Sequence, residues 1–216
     1  IFFDLDRTLW DFEKNSFQTL TEVFEHHIAS KTDITAEEFA KIYHKHNERL
    51  WSEYRKGSIK KEVLRWKRFH LTLGEMGIKS ETLAQLVDEE YIYKSPLKTN
   101  LFPHTLETLQ YLKRRYALHI ITNGFSEVQF VKLNRSGLQP FFLHVVTSEE
   151  VGFQKPAPQV FSYALAKAGA TPKQSIMVGD DLETDIVGAQ GVGMKQVYFN
   201  PAGRPHAMRV TWEVGD

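Results

Sequence analysis

No cysteine occurs in this chain of 216 residues. That excludes a disulfide framework and thiolate metal sites. It fits a reducing cytosol, so a cytoplasmic location is expected. Net charge is missing too. Lys and Arg together number 27, and so do Asp and Glu, which leaves no global field to draw the chain to a nucleic acid polymer or an anionic membrane. No apolar run approaches the ~20 residues that a membrane span needs. Signal peptide, internal repeat and low-complexity tract are all absent from view. The chain opens on Ile1 rather than Met, so a few residues are expected ahead of it. What is present is a 42% hydrophobic content, enough for a real core, in a length that suits one domain with an insertion or two small ones.

Strand signals are scarce from Asn15 to about Lys94. Asn15-Ser16 can cap a helix with Phe17, Leu20, Val23 and Ile28 on its apolar face. Thr35-Ala-Glu-Glu38 is a capping box, followed by Phe39, Ile42, Tyr43, His46 and Leu50 at helical spacing. Gly57 stops that helix. Ser58 begins a third that Gly77 ends, and Ser80 a fourth that runs to Ile92 before Pro96. Beyond Phe102 the texture alternates. Helices are predicted over 103–115, from the capping box Ser126-Glu-Val-Gln129 to Gly137, over 156–168, briefly from Thr171, and over 182–190. Strands are predicted over 117–122, 142–146, 175–178 and 195–199. Such alternation implies a parallel, Rossmann-like α/β sheet with helices on both faces. The opening residues, Ile1-Phe-Phe-Asp-Leu5, form its first strand. The expected organisation is thus an α/β core of residues 1–12 and 100–216, with an all-helical insertion, 13–99, after the first strand. The last residues, through Trp212, look cut off before a closing element.

The first strand ends on Asp4 and Asp6, one residue apart. Two carboxylates converging at a strand end repel each other unless a cation or a shared proton relieves them. Oxygen-only ligands suit Mg²⁺. The carboxyl ends of the later strands carry Thr122, Asn123 and Gly124, then Lys155 in the loop after the third strand, then Gly179, Asp180, Asp181 and Asp185. Open α/β sheets bind ligands on that edge. The chemistry fits phosphoryl transfer. Asp180 can join Asp4 on the metal. Thr122, the backbone N–H groups from Asn123 onward and Lys155 can surround the phosphate oxygens. One Asp can attack phosphorus, and the other can protonate the leaving oxygen and then activate water.

These residues resemble the four motifs of the haloacid dehalogenase superfamily: Asp4-Leu-Asp-Arg-Thr8, Thr122, Lys155 and Gly179-Asp-Asp-Leu-Glu-Thr-Asp185. The resemblance spans nearly the whole chain, and the insertion resembles that superfamily's C1-type helical cap. It implies a Mg²⁺-dependent phosphatase working through an aspartyl-phosphate. Asp4 resembles the nucleophile. Asp6 resembles the acid/base that also lends a backbone carbonyl to the metal. Thr122 and Lys155 resemble the phosphate clamp, and Asp180 the metal ligand. Asp185 is expected behind it, through water or toward Lys155, while Asp181 is either a further acid of the site or a helix N-terminal acid. A finer resemblance, in Thr8-Leu-Trp-Asp-Phe12, Thr122-Asn-Gly-Phe125 with Gln129, and Ser148-Glu-Glu-Val-Gly152, is to pyrimidine 5′-nucleotidases that act on noncanonical nucleotides. Arg7 departs from the residue often found there.

The expected partner is therefore a small phosphate monoester. Trp10, Trp51, Tyr54 and Phe125 are candidates to contact its base, though at helical spacing most aromatics of the insertion read as core. His26-His27 and His44 with His46 read as satisfied surface or cap residues. A sugar-phosphate phosphatase or a phosphomutase would share this chemistry. A hydrolytic dehalogenase would not, because that family has no acid at the position of Asp6. A phosphate-binding module without activity would have no use for the intact set.

Overall fold

The computed structural model describes residues 1–215. Its contacts divide the chain into two compact units, Ile1–Phe12 with the chain from Thr99 onward, and Glu13–Lys98. The first holds six parallel strands: β1 Phe2–Phe3, β2 His119–Thr122, β3 His144–Thr147, β4 Ile176–Gly179, β5 Lys195–Phe199 and β6 Trp212–Val214, in the order β3-β2-β1-β4-β5-β6. Successive connections step one way from β1 to β3 and the other way from β4 to β6. The reversal falls between β1 and β4, where parallel sheets open a crevice at their carboxyl ends. The sheet is a Rossmann-like α/β fold.

Strand alternation sorts the core into two layers. Phe2, Ile121, Val146 and Met177 go to one face, with Val160, Phe161 and Ala164 from helix Pro158–Lys167. Phe3, Leu5, Ile120 and Leu118 go to the other, with Leu9, Trp10, Leu109 and Leu133. β6 was not predicted. It is three exposed residues paired to Val197–Phe199, too short to carry a periodic signal.

The second unit is helical: α1 Phe12–His27, α2 Ala36–Arg55, α3 Lys61–Glu75 and α4 Glu81–Lys94. Leu20, Val23, Phe24, Ile28, Phe39, Tyr43, Phe69, Leu73, Val87 and Tyr91 fill its core. The Thr35–Glu38 capping box forms as predicted, and Ser80 accepts from Leu83 N at 3.2 Å. Two starts differ. α1 begins at Phe12, so Asn15 and Ser16 are buried inside the helix, where Ser16 Oγ lies 3.0 Å from Tyr91 Oη. α3 begins three residues after Ser58, with Lys60 at its cap. His26 Nδ1 and His27 Nε2 lie 3.0 and 2.5 Å from Glu90 Oε2, and Lys94 Nζ lies 2.7 Å from Glu90 Oε1. That network ties α1 to α4 and accounts for both imidazoles. Among the described residues no helix is long and apolar enough to cross a membrane.

In the α/β unit the remaining helices are α5 Thr105–Lys113, α6 Ser126–Arg135, α7 Ser148–Val151, α8 Pro158–Lys167 and α9 Val187–Gly191, the last preceded by a π-helical turn at Leu182–Ile186.

Candidate active site

The turn after β1 is closed by its own backbone. Leu9 N and Trp10 N both donate to Leu5 O, at 3.0 and 2.9 Å, and Arg7 N donates to Trp10 O at 2.9 Å. Arg7 has φ 65°, a left-handed conformation that side chains other than glycine's adopt at a cost of about 1–2 kcal/mol. Its guanidinium lies 4.3 Å from the centre of the Phe12 ring. Asp4 N is anchored across the sheet to Val178 O at 2.9 Å. Asp4 is thereby fixed at the reversal of strand order, beside the end of β4.

Lys155 is the centre of the cluster. It is 2% exposed, and its ammonium lies 2.5 Å from Asp4 Oδ1, 2.6 Å from Asp185 Oδ1 and 3.0 Å from Ile121 O. Its loop is clamped by Asn123, whose side chain accepts from Lys155 N at 2.8 Å and donates to Lys155 O at 3.1 Å. Burial opposes the charge on Lys155, but Asp185 and Asp4 overcome it and hold its pKa above the ordinary range. The acids still outnumber the cation. Burial pushes Asp4 well above the usual carboxylate range, with Asp185 and Asp180 adding to the rise and Lys155 opposing it. Burial, and after it Asp185, raise Asp180 to about 7, against the pull of Arg7. Asp185 is raised as well, again chiefly by burial.

One oxygen from each of Asp4, Asp180 and Asp185 lies within 4.8 Å of the others. Asp4 and Asp185 are buried and Asp180 partly so; with Lys155 between them and Arg7 acting on Asp180, the three acids still outnumber the cations, and all their donors are hard oxygens. A divalent cation such as Mg²⁺ fits this set. Close packing shapes it further. A Cβ on Gly179 would come within 2.3 Å of Asp185 Oδ2, so only glycine leaves that carboxylate its place. Thr8 Oγ1 donates to Asp180 Oδ1 at 3.2 Å.

Asp6 is held separately. Lys132 Nζ donates to its Oδ1 at 2.6 Å, and Gln129 Nε2 to its Oδ2 at 2.9 Å. Gln129 Nε2 also lies 2.6 Å from Thr122 Oγ1, which accepts from Gly124 N at 3.1 Å. A Cβ on Gly124 would lie 2.3 Å from Gln129 Nε2, so glycine is needed for this bridge. The expected capping box of α6 does not form. Ser126 Oγ instead lies 2.7 Å from Thr147 Oγ1, Ser126 N donates to Glu149 Oε2 at 2.7 Å, and the Gln129 side chain belongs to the site. Lys132 was not singled out from the sequence. Its one signal is a lysine in the apolar run Phe130-Val131-Lys132-Leu133, three residues after Gln129 and hence on the same helical face.

Other expected residues take different places. Asn123 was read as a phosphate contact. Its side chain is committed to the Lys155 backbone, which leaves its N–H as the group it could offer an anion. Asp181 caps the π-helical turn, accepting from Glu183 N at 2.8 Å and Thr184 N at 3.0 Å. Trp10 was a candidate for base contact. It is wholly buried in the layer with Phe3, Leu5 and Leu9, and the Lys132 ammonium lies 4.2 Å from its ring centre, so it is a core residue. Phe125 is buried as well. Trp51 and Tyr54 are half-buried on α2, edge to face at 5.7 Å.

Residues 1–199 match the family of haloacid dehalogenase-like hydrolases. The chain is similar to the pyrimidine 5′-nucleotidase YjjG of Escherichia coli, 34% identical over 99% of this chain and 92% of that one. It is similar to the pyrimidine 5′-nucleotidase PynA of Streptococcus pneumoniae, 29% identical over 93% of this chain and 83% of that one. Among solved structures it resembles YfnB of Bacillus subtilis, described as a HAD-type hydrolase and crystallised bound to magnesium, with a TM-score of 0.89 and 27% identity over 99% of this chain and 92% of that one. Full-length similarity and the ordered acid–threonine–lysine–acid set agree: the chain belongs to the haloacid dehalogenase-like hydrolase family.

Proposed function

We propose that this protein is a Mg²⁺-dependent phosphomonoesterase that hydrolyses nucleoside 5′-monophosphates, pyrimidine nucleotides among them. The observation that carries the reaction class is the Asp4–Asp180–Asp185 group, two of whose acids, Asp4 and Asp185, share the buried Lys155, with Asp6 tethered apart from it. The nucleotide leaving group is supported by the two pyrimidine 5′-nucleotidases to which the chain is similar over most of its length. Magnesium is supported by the charge deficit of the acids and by the magnesium-bound YfnB structure.

In this reading Asp4, Asp180 and the Asp6 carbonyl hold the metal, which when bound neutralises the phosphate and keeps it in line. Asp185 stands behind them, fixing Lys155. A carboxylate oxygen of Asp4 attacks phosphorus and the bond to the leaving oxygen breaks. Asp6 gives that oxygen its proton, so the alcohol leaves neutral and the phosphoryl group rests on Asp4. Asp6 then takes a proton from water, whose oxygen attacks phosphorus and releases Asp4 and inorganic phosphate. Thr122, the backbone N–H groups from Asn123 onward and Lys155 line the phosphate oxygens, where charge spreads in the transition state.

The helical unit, residues 13–98, is the part we assign to recognition of the leaving group, because the α/β residues named above account only for metal and phosphate. A dehalogenase reading leaves Asp6 and its two tethers without a task. The test is a phosphatase screen over nucleoside monophosphates and sugar phosphates, with Mg²⁺ and with excess EDTA. Hydrolysis of pyrimidine nucleotides that disappears in EDTA and returns with Mg²⁺ is expected. Full activity in EDTA sinks the metal assignment, and preference for a sugar phosphate sinks the leaving group.

A further inference from the structure

The contacts around Asp6 go beyond what its chemistry alone requires. A carboxylate that gives and takes a proton needs one reachable oxygen and a path to the leaving group. Here both oxygens are engaged, Oδ1 by Lys132 and Oδ2 by Gln129. Lys132 is a peculiar residue to find on that helix. Its side chain is 5% exposed against 24% for Asp6, and its ammonium lies against the face of the buried Trp10 indole. Burying an ammonium costs several kcal/mol, and a hydrophobic residue of similar volume would satisfy the core at least as well. Fold stability therefore does not account for Lys132. The Trp10 face and Asp6 do: the indole covers one side of the ammonium and the carboxylate accepts a hydrogen bond from the other. Gln129, one turn earlier on α6, spans the remaining distance, since its single Nε2 lies within 2.9 Å of Asp6 and 2.6 Å of Thr122.

We propose that Lys132 and Gln129 are positioning residues that hold the Asp6 carboxylate at a fixed place relative to the Thr122 hydroxyl, and so set the line of proton transfer to the leaving oxygen. The proposal rests on Asp6 being the acid/base. Two tethers from one helix face act as a fork. Lys132 supplies a strong charge-assisted contact that fixes one oxygen. Gln129 links the other to a phosphate-clamp residue, so that displacement of Thr122 by substrate is felt at Asp6. Loosening the fork leaves the nucleophile, the metal acids and Lys155 untouched, because none of them contacts Lys132 or Gln129 in the site described above. The penalty falls on the two proton transfers that Asp6 performs, and only the first of them involves the leaving group.

The prediction is specific to leaving groups. Phenyl phosphate and p-nitrophenyl phosphate have nearly the same shape, but only phenolate needs much protonation as it departs. Lys132→Met is expected to lower kcat/KM, which reports the half-reaction in which the leaving group departs, about tenfold or more on phenyl phosphate and several-fold less on p-nitrophenyl phosphate, as general-acid loss does. Lys132→Arg restores most of the difference. In an Asp6→Asn background, Lys132→Met should change kcat on either substrate less than twofold, since the group it positions is no longer an acid. Gln129→Leu provides a second route should Lys132→Met fail to fold. It cuts the other tether without stranding a buried charge, and it reproduces the same leaving-group dependence, any loss at Thr122 appearing as an equal change in KM for both substrates. Equal losses of kcat/KM on the two phosphates, or a Lys132→Met effect that adds in full to Asp6→Asn, overturns the positioning role. Asp6→Asn with unaltered turnover of both phosphates would instead overturn the acid/base reading, and the proposal with it.

Discussion

Arg68 in the helical unit and Lys155 in the α/β unit are both deeply buried cations, and the two are surrounded in opposite ways. In the helical unit Arg68 is 4% exposed. Its Nη2 donates to Asp88 Oδ1, its Nη1 to Asn47 Oδ1 and its Nε to Arg65 O, all at 3.1 Å. The rings of Tyr43, Phe69 and Tyr91 stand 5.5–5.7 Å from its guanidinium carbon. Burial works against the Arg68 charge, and Tyr43, Asp88 and Tyr91 more than offset it and raise its pKa. In the α/β unit Lys155 is as deeply buried, yet Asp4 and Asp185 contend for it with Asp180 close by, and burial drives all three acids upward. In the first arrangement one carboxylate, Asp88, faces two arginines, Arg68 and, at 3.4 Å, Arg65, so negative charge is not in excess. The second has too many acids for its lysine. A buried ion pair by itself says little about function, but an unbalanced one is a place where something positive is meant to arrive.

Removing a charge from each tests the contrast most severely. Asp4→Asn is expected to abolish turnover, by a factor of about a thousand or more, because the proposed nucleophile is gone. Lys155 keeps Asp185 at 2.6 Å, and one of the crowded acids is neutralised. The thermal midpoint of the metal-free protein should therefore hold or rise. A normal rate in this variant breaks the nucleophile assignment, and a large fall in the midpoint breaks the claim of acid excess.

Arg68→Met should do the reverse. It takes from Asp88, whose side chain is 6% exposed, its buried partner and leaves it the half-exposed Arg65 at 3.4 Å. Breaking a buried pair from one side costs about 3–5 kcal/mol. Denaturant unfolding should report a loss of that order. The protein that remains folded should keep its Mg²⁺ requirement and its kcat on p-nitrophenyl phosphate. A specific loss of kcat without loss of stability would mean that Arg68 serves the chemistry after all.

What was legible in the sequence follows the same division. The site acids were readable because each sits at the end of an apolar strand, and strand ends of a parallel sheet meet on one edge. Asp4, Thr122 and Asp180 needed no more than that. Lys155 was picked out by its place in the loop after the third strand, but nothing local marks a loop lysine as buried between two carboxylates. Gln129 was visible but was read as a cap, since Ser-x-x-Gln ahead of an apolar run satisfies the capping pattern. Tertiary partners, Thr147 for Ser126 and Asp6 for Gln129, won over the local ones. Lys132 was silent because its partner, Asp6, is more than a hundred residues away. Helix starts slipped for a similar reason. Asn15 and Ser16 are good cap residues, but α1 begins at Phe12 and the buried face that includes Ser16 accepts its hydroxyl through Tyr91.

A gentler probe of the imbalance is pH. In the metal-free protein Asp180 is raised to about 7 from an ordinary value near 4. Between those values the folded state binds more protons than the unfolded, so stability falls as pH rises, and the slope for one such group is about 1.4 kcal/mol per pH unit at most. In EDTA the unfolding free energy should decline from pH 5 to pH 7, and saturating Mg²⁺ should flatten or reverse the trend. Asp180→Asn should remove part of the slope. The helical unit has no equivalent, since its Arg68 pair is balanced. A metal-free protein whose stability climbs steadily over this range would show that the acids are relieved by something other than a cation.

The smallest expected effect concerns the helical unit's part in recognition. Trp51 and Tyr54 are three residues apart on α2 and therefore share one face, where their rings meet edge to face at 79° while remaining half-buried. They differ in this from Tyr43 and Phe69, which are sealed in the core around Arg68. A flat base stacked on such a ring gains about 1 kcal/mol or somewhat more beyond simple burial. If either ring meets the leaving group, Trp51→Ala or Tyr54→Ala should raise KM for a pyrimidine nucleotide about five- to tenfold. KM for p-nitrophenyl phosphate should shift much less, because most of that molecule is the phosphate that the α/β unit holds. Their kcat values should stay close to wild type, since neither ring touches a reacting atom in this reading. Equal KM changes on both substrates would reduce the pair to packing. Recognition of the base would then have to come from outside this aromatic face.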